Sequence, residues 1–427
     1  MMFEQAYETM PRQELELLQL ERLQSTLNRA YLNVAHYRRA FDAAGILPES
    51  IGSLKDIANL PFTTREDLEK GYPYDMFAVP LREVVRIHTS SGSRARNAIV
   101  TGYTAGDLKA WARLMARFLV GTGMTSDDVI QIAFRYGLMT GGFGFHAAAE
   151  LIGSSVIPAD IGNTEEQAVI MQHYLTSVIA CTPGYALILM DKLEQLGINT
   201  KSLRLRRAIL GAEKLSPAVR ARVSQGLGVE VFNSYGSSVV MGPGIAGECT
   251  AHDGLHVYED FFIPEIINPS TGAVLAPGEK GELVITTLMR EAFPLIRYRT
   301  GDIAMIKDGL CSCGRTHMRL EDVYGRTDDT VKIKGASVSP GRIRAILAAE
   351  GIDTNIRLHL YREGSREKAD VILEVRENLF FDEMKTQKKF IEKLETILQA
   401  HTRVRMGVKI VPRSAFADGP AIVDERD

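Results

Sequence analysis

Between Asp128 and Phe232 short apolar runs alternate with helix-length stretches, and that rhythm limits what the chain can fold into more than any other feature. Strand-like segments at 128–133, 155–158, 178–181, 205–210 and 229–232 are separated by helical patterns at 144–151, 165–174, 185–195 and 217–225. Strands joined by helical crossovers lie parallel, so βαβ units and a mostly parallel sheet are expected. Upstream, 12–43 reads as a helical stretch with leucines at 15, 17, 18, 20, 23 and 27. The run 84–89 is β-branched and apolar and stops at Ser90-Ser91-Gly92, a strand entering a small-residue loop. Residues 104–122 are helical again.

The pattern changes after Tyr235. Strands dominate 255–306, with a turn at Pro277-Gly278, which predicts an antiparallel meander appended to the α/β body. Beyond Gly325 a smaller α+β unit is expected, with strands at 331–333, 355–362, 369–376 and 406–411 and helices at 340–350 and 381–400. A boundary in the polar turn Arg326–Asp329 gives an N-terminal domain 1–326 and a C-terminal domain 327–427. A chain of 427 residues is long enough for more than one core. Its 45% hydrophobic and 24% charged residues are globular usage, which sets disorder aside. The net charge is −3 and the Lys and Arg residues are dispersed, so no concentrated basic surface offers itself to nucleic acid. No apolar run approaches the length of a membrane span, the N-terminus has no secretory pattern, and four cysteines do not make a disulfide scaffold. A cytoplasmic setting without a membrane partner is therefore expected.

Two constellations suit nucleotide chemistry. A strand ending at Ser90, Ser91 and Gly92 can turn backbone N–H groups towards a phosphate. Tyr298–Asp302 and Gly325–Asp329 supply a carboxylate, Asp302, able to accept both hydroxyls of a ribose, and a guanidinium, Arg326, able to meet a ribose or phosphate oxygen. Each alone reads equally as a loop or a pair of charged turns. In sequence order, however, they stand with Gly102-Tyr-Thr104, Tyr136-Gly-Leu-Met-Thr-Gly-Gly142, Thr182-Pro-Gly-Tyr185, Gly211-Ala-Glu213, Tyr235-Gly236, Met241-Gly-Pro-Gly244, Asp253-Gly-Leu-His256 and Pro264-Glu-Ile-Ile-Asn-Pro269. This set resembles the phenylacetate–CoA ligase family of adenylate-forming enzymes, over nearly the whole chain.

The resemblance implies a large N-terminal domain of parallel α/β sheets plus an antiparallel β subdomain, and a small mobile α+β C-terminal domain hinged at Asp328. It implies two steps: ATP and a carboxylic acid give an acyl-adenylate and pyrophosphate, then the CoA thiol displaces AMP. Gly211, Ala212, Glu213, Tyr235, Gly236 and Ser237 would lie against the nucleotide, Asp302 and Arg326 on the ribose, and Ser90, Ser91 and Gly92 on the phosphates. Tyr136, Gly141, Gly142 and Gly211 would line the acyl pocket. Bare glycines at 141, 142 and 144 would let a flat aryl ring approach the backbone. The family habit also implies a homodimer.

Departures from the family pattern fall on adenylation. The loop continues as Ser93-Arg-Ala-Arg-Asn-Ala98, without the family's second glycine and lysine, leaving Arg94 and Arg96 to meet the phosphates. Val239 stands where the family has a glutamate that helps hold Mg2+, and valine offers no oxygen ligand. Pro420 occupies the place of the lysine that bridges carboxylate and α-phosphate, and no lysine follows Lys409. These losses keep two rival readings open. One is an impaired homologue that only binds a nucleotide or CoA ligand, and the other an enzyme that performs a related adenylyl- or acyl-transfer step alone.

A separate cluster suits a metal. Cys311 and Cys313 form a Cys-x-Cys pair, and Cys249 and His256 share a second short segment with His252 as a competing ligand. Two such segments, brought together, complete a closed tetrahedral zinc site of structural character. Some members of the resembled family carry the same set. Cys181 reads as a small core residue, and His88, His146 and His173 have no evident partner.

Overall fold

A mixed sheet of 11 strands runs through the larger part of the molecule. The computed structural model describes residues 1–90, 98–352, 354–375, 384–412 and 420–426. One half of the sheet is parallel, in the order Ser155–Ile157, Val129–Ile132, Val178–Cys181, Arg207–Gly211 and Glu230–Ser237. Val178–Cys181 is buried along its whole length, as a parallel strand covered on both faces must be. From Glu230–Ser237 the pairing turns antiparallel through Gly242–Glu248, Leu255–Val257, Arg319–Arg326, Tyr298–Lys307, Gly281–Thr287 and Phe262–Ile267. The meander expected after Tyr235 thus continues the parallel sheet and is hydrogen-bonded to it.

The helices start where local chemistry satisfies their first N–H groups. Thr182, Ser216 and Ser339 cap helices that open with proline, Pro183–Gln195, Pro217–Leu227 and Pro340–Ala349. Thr104 and Asp107 form a capping box at Ala105–Gly121. Buried Asp107 also accepts from the backbone N–H groups of Glu291 at 2.6 Å and Ala292 at 3.1 Å, tying that helix to the antiparallel half. The helical stretch expected over 12–43 is two helices, Arg12–Asn33 and Ala35–Ala44. Val34 is extended (φ −115°, ψ 110°) between them, and the break brings Tyr37 and Phe41 into the main core. Apolar periodicity carries on across Val34, so the sequence does not reveal the turn.

The smaller lobe has its own core, in which Ile343, Leu347, Leu358, Val371, Leu394 and Leu398 are buried together. Its sheet runs Gly407–Pro412, Arg366–Val375, Ile356–Glu363 and Ile422–Asp424, beside helices Pro340–Ala349 and Met384–Thr402. Two short strands, Ala336–Val338 and Ile422–Asp424, are absent from the sequence reading. Residues 381–383 of the expected helix lie outside the described residues. Among the described residues no helix is long and apolar enough to cross a membrane.

Candidate active site

A cleft of about 510 Å³ opens where the parallel strands end, the antiparallel half begins and the smaller lobe closes over both. Ligand sites of open α/β sheets lie outside the carboxyl ends of parallel strands. Strand Arg207–Gly211 runs out there into Gly211, Ala212 and Glu213, all three lining the cleft. Ala212 takes a left-handed φ of +65°, a conformation that costs an L-residue about 1–2 kcal/mol and that marks the site as locally strained.

Asp302 and Arg326 are register partners on neighbouring strands, so the sheet itself brings them together. Arg326 Nη1 donates to Asp302 Oδ1, and Tyr235 Oη donates to Asp302 Oδ2 at 2.6 Å. Arg326 also donates to Asp328 Oδ1 at 2.7 Å and to the Thr300 carbonyl at 3.0 Å. Burial, reinforced by Asp302, raises the Tyr235 phenol well above its ordinary value, which keeps it a donor. A carboxylate has about four acceptor positions, so these two bonds leave room for a pair of vicinal hydroxyls.

Ser90, Gly236 and Ser237 also line the cleft, and Ser90 Oγ accepts from the Ile99 N–H at 3.3 Å. Ser91, Gly92, Arg94 and Arg96 lie outside the described residues. Val239 lines the cleft and is 4% exposed, so methyl groups stand where a hard cation would need oxygen. Pro420 is exposed and is not among the cleft residues, and its carbonyl accepts from Arg357 Nε at 3.1 Å.

The acyl side differs from expectation at two glycines. Gly141 and Gly211 line the cleft beside Phe134 and Phe145. A Cβ on Gly142 would lie 2.9 Å from the Tyr136 ring, and one on Gly144 would lie 2.8 Å from the Trp111 ring. The flat rings that approach those two backbones are therefore the protein's own. Tyr136 packs edge-on against Phe143, with Oη 3.3 Å from His146 Nδ1, and is not among the residues lining the cavity.

Lys332 reaches the cleft from the short strand Val331–Ile333, and sequence reasoning missed it. Its Nζ donates to Ser337 Oγ at 2.7 Å, and its carbonyl accepts from Arg426 Nη1 at 2.6 Å. Burial brings the ammonium down to about 8, with Asp302 opposing the shift. The available signal was a single cation shortly after the Gly325–Asp329 turn. Glu213 faces the smaller lobe as well. Its Oε2 accepts from the Gly184 N–H at 3.1 Å, while Oε1 is buried with no hydrogen-bond partner among the described residues. Burial, then the charge of Glu367, raises the Glu213 carboxyl to about 7.

At a corner of the antiparallel half, the ligand atoms of Cys249, His256, Cys311 and Cys313 all lie within 4.8 Å of one another. Cys249 Sγ is 3.7 Å from Cys311 Sγ, and Cys313 Sγ is 3.4 Å from His256 Nε2. The Cys249 thiol and His256 hold Cys313 far below the usual thiol range. His252 is engaged elsewhere, 2.9 Å from Glu230 Oε1 and stacked on Phe232.

This geometry has relatives. Residues 335–418 match the family model for the AMP-binding enzyme C-terminal domain. The chain is 41% identical over 382 residues to the phenylacetate-coenzyme A ligase of Thermus thermophilus, covering 89% of this chain and 86% of that protein. The chain belongs to the phenylacetate-coenzyme A ligase family. A solved structure of 2-hydroxyisobutyryl-CoA ligase, in complex with 2-HIB-AMP and CoA in the thioesterification state, aligns with this family member at a TM-score of 0.93. It is 25% identical, and the alignment covers 99% of this chain and 92% of that one. An open conformation of the same ligase, 24% identical and covering 98% and 93%, aligns at 0.73. The two lobes of this ligase-family chain are thus placed as in the former structure.

Proposed function

We propose that this protein converts a carboxylic acid into its CoA thioester through an acyl-adenylate. In the first step the acid's oxygen attacks the α-phosphorus of ATP and pyrophosphate leaves. In the second the CoA sulfur attacks the acyl carbon and AMP leaves with the bonding pair. The observation that carries this reading is the Asp302 carboxylate, fixed between Tyr235 and Arg326 at the cleft with acceptor positions left for ribose hydroxyls. Glu213, Ala212 and Gly211 would flank the adenine, Gly236 and Ser237 the sugar-phosphate, and Gly141 and Gly211 the acyl group. Lys332 would face the phosphate and stabilise charge on departing AMP. An aryl acid suits the phenyl-lined side formed by Phe134 and Phe145.

Acid-dependent exchange of labelled pyrophosphate into ATP, across a panel of aryl acids, tests the first step. Thioester formation from a synthetic aryl-adenylate and CoA tests the second. Pro420 favours a narrower alternative in which only the second step is fast, since no lysine stands at that place. Exchange at a rate comparable to thioester formation would remove the alternative. Because Val239 supplies no ligand, a divalent ion reaches this cleft as part of the ATP substrate and is not held by that residue.

The same reading assigns 1–326 to nucleotide and acyl binding and 327–427 to a mobile domain pivoting at Asp328. The Arg326–Asp328 pair would secure the present arrangement. The four-ligand corner fits zinc. With Zn–S near 2.3 Å and Zn–N near 2.0 Å, a tetrahedron has S···S edges of about 3.8 Å and S···N edges of about 3.5 Å. The printed separations of 3.7 and 3.4 Å match them. With no open position among these ligands, bound zinc would serve as a structural clamp. The free cysteines suit a reducing, cytoplasmic setting, and the family habit favours a homodimer, which light scattering on the purified protein would check.

A further inference from the structure

The proposed reaction brings two nucleotides to one protein, the adenylate and the nucleotide end of CoA, and the structure holds a second cavity of matching size. It measures about 520 Å³ and opens between the lobes. Arg135 lines it from the larger lobe, and Thr396, Gln399, Ala400 and Arg403 line it from the end of helix Met384–Thr402. No carboxylate is among these residues. Among the described residues neither the Arg135 nor the Arg403 side chain has a hydrogen-bond or ion-pair partner. A further guanidinium, Arg342, donates to the His401 carbonyl at 3.0 Å against the same helix end. Cations sharing one cavity repel each other, and an anion between them turns that repulsion into attraction.

The backbone adds an independent sign. Arg403 follows the last helical residue with a left-handed φ of +62°, at a position where glycine is the favoured residue. A non-glycine residue held there is strained, and such strain gathers at ligand sites. Here it holds a guanidinium at the helix end that lines the cavity.

We propose that this inter-lobe cavity binds the phosphate groups of the CoA nucleotide, with Arg135 and Arg403 as the contacting cations, one from each lobe. The assignment rests on the thioester-forming reading above for the identity of the anion. Because each lobe contributes one cation, phosphate binding favours the present arrangement over any in which the lobes part. CoA would thereby stabilise the conformation in which its own thiol reacts.

Calorimetric titration of the full chain with adenosine 3′,5′-bisphosphate, pyrophosphate and pantetheine tests this, using wild type, Arg135→Ala, Arg403→Gly and Arg403→Lys. Glycine keeps the left-handed helix end, so any loss in Arg403→Gly is not a folding defect, and thermal melts verify that. Bisphosphate affinity is expected to fall on the order of tenfold in Arg135→Ala and in Arg403→Gly, with most of it restored in Arg403→Lys. Unchanged bisphosphate affinity in both variants, or an equal loss for phosphate-free pantetheine, overturns the proposal. Tighter binding of pyrophosphate than of the bisphosphate overturns the assignment to CoA. Since the titration needs no turnover, a wild type that binds bisphosphate here yet makes no thioester would sink the thioester reading and leave the site standing.

Discussion

Lys332→Met removes an ammonium group from the cleft while keeping most of the side chain's volume. At about 4 Å an ammonium and a phosphate charge attract by roughly 4 kcal/mol at an effective dielectric of ~20. Only the part of that attraction that grows as charge develops on departing AMP accelerates the step. One positioned donor is commonly worth on the order of a hundredfold or more. Lys332 is half-buried and shares its donors with Ser337, so a loss of roughly ten- to a hundredfold is expected. The assay is rapid-quench, single-turnover formation of thioester from a supplied aryl-adenylate and CoA. A second signature comes from the ammonium's titration near 8. Its protonated fraction falls from about 0.9 at pH 7 to about 0.1 at pH 9. Lys332→Arg keeps its charge throughout that range. The CoA thiol ionises more as pH rises, but equally for both proteins, so the ratio of wild type to Lys332→Arg isolates the lysine and should fall about tenfold from pH 7 to pH 9. A methionine variant within twofold of wild type, together with a pH-independent ratio, would refute the reasoning.

Tyr235→Phe deletes the 2.6 Å bond to Asp302, and AMP affinity by calorimetry should weaken on the order of tenfold, the worth of one hydrogen bond to a charged group. An unaltered AMP affinity would show that the phenol does not set the carboxylate. Elemental analysis should find about one zinc per chain if the clamp is real. Cys313→Ser should then lower both metal content and melting temperature, whereas a metal-free wild type with full stability would end that idea. Glu213 has a folded-state value near 7, raised above its ordinary 4.5 by burial and Glu367. The stability its neutral form contributes is complete below pH 4.5 and lost as pH climbs through 7. The melting temperature of wild type should therefore drop relative to Glu213→Gln between pH 5 and pH 8, and parallel curves would count against carboxylate repulsion across the lobes.

Features that depend on residues close in sequence were legible. The βαβ rhythm from Asp128 to Phe232, the helix starts at Thr182 and Ser216, and the Cys311-x-Cys313 pair need only local spacing. Asp302 and Arg326 were legible through the motif resemblance, and strand register explains their meeting. Features set by tertiary packing were not. Gly142 and Gly144 are bare because Tyr136 and Trp111 fill the space above them, and nothing in a run of glycines says which ring arrives. The strand Ile422–Asp424 exists because Ile356–Glu363 offers it an edge, so its three residues carry no pattern of their own. Lys332 is set apart by the burial of its ammonium beside Asp302, an environment assembled from distant segments.

Strand Arg319–Arg326 begins with the register partner of His256 and ends with the guanidinium that grips Asp302. Anything that disturbs the cysteine corner, such as oxidation of its thiols, therefore pulls on one end of a rod whose other end is the sugar anchor. Exposure to an oxidant should register as weakened nucleotide binding well before the molecule as a whole comes apart.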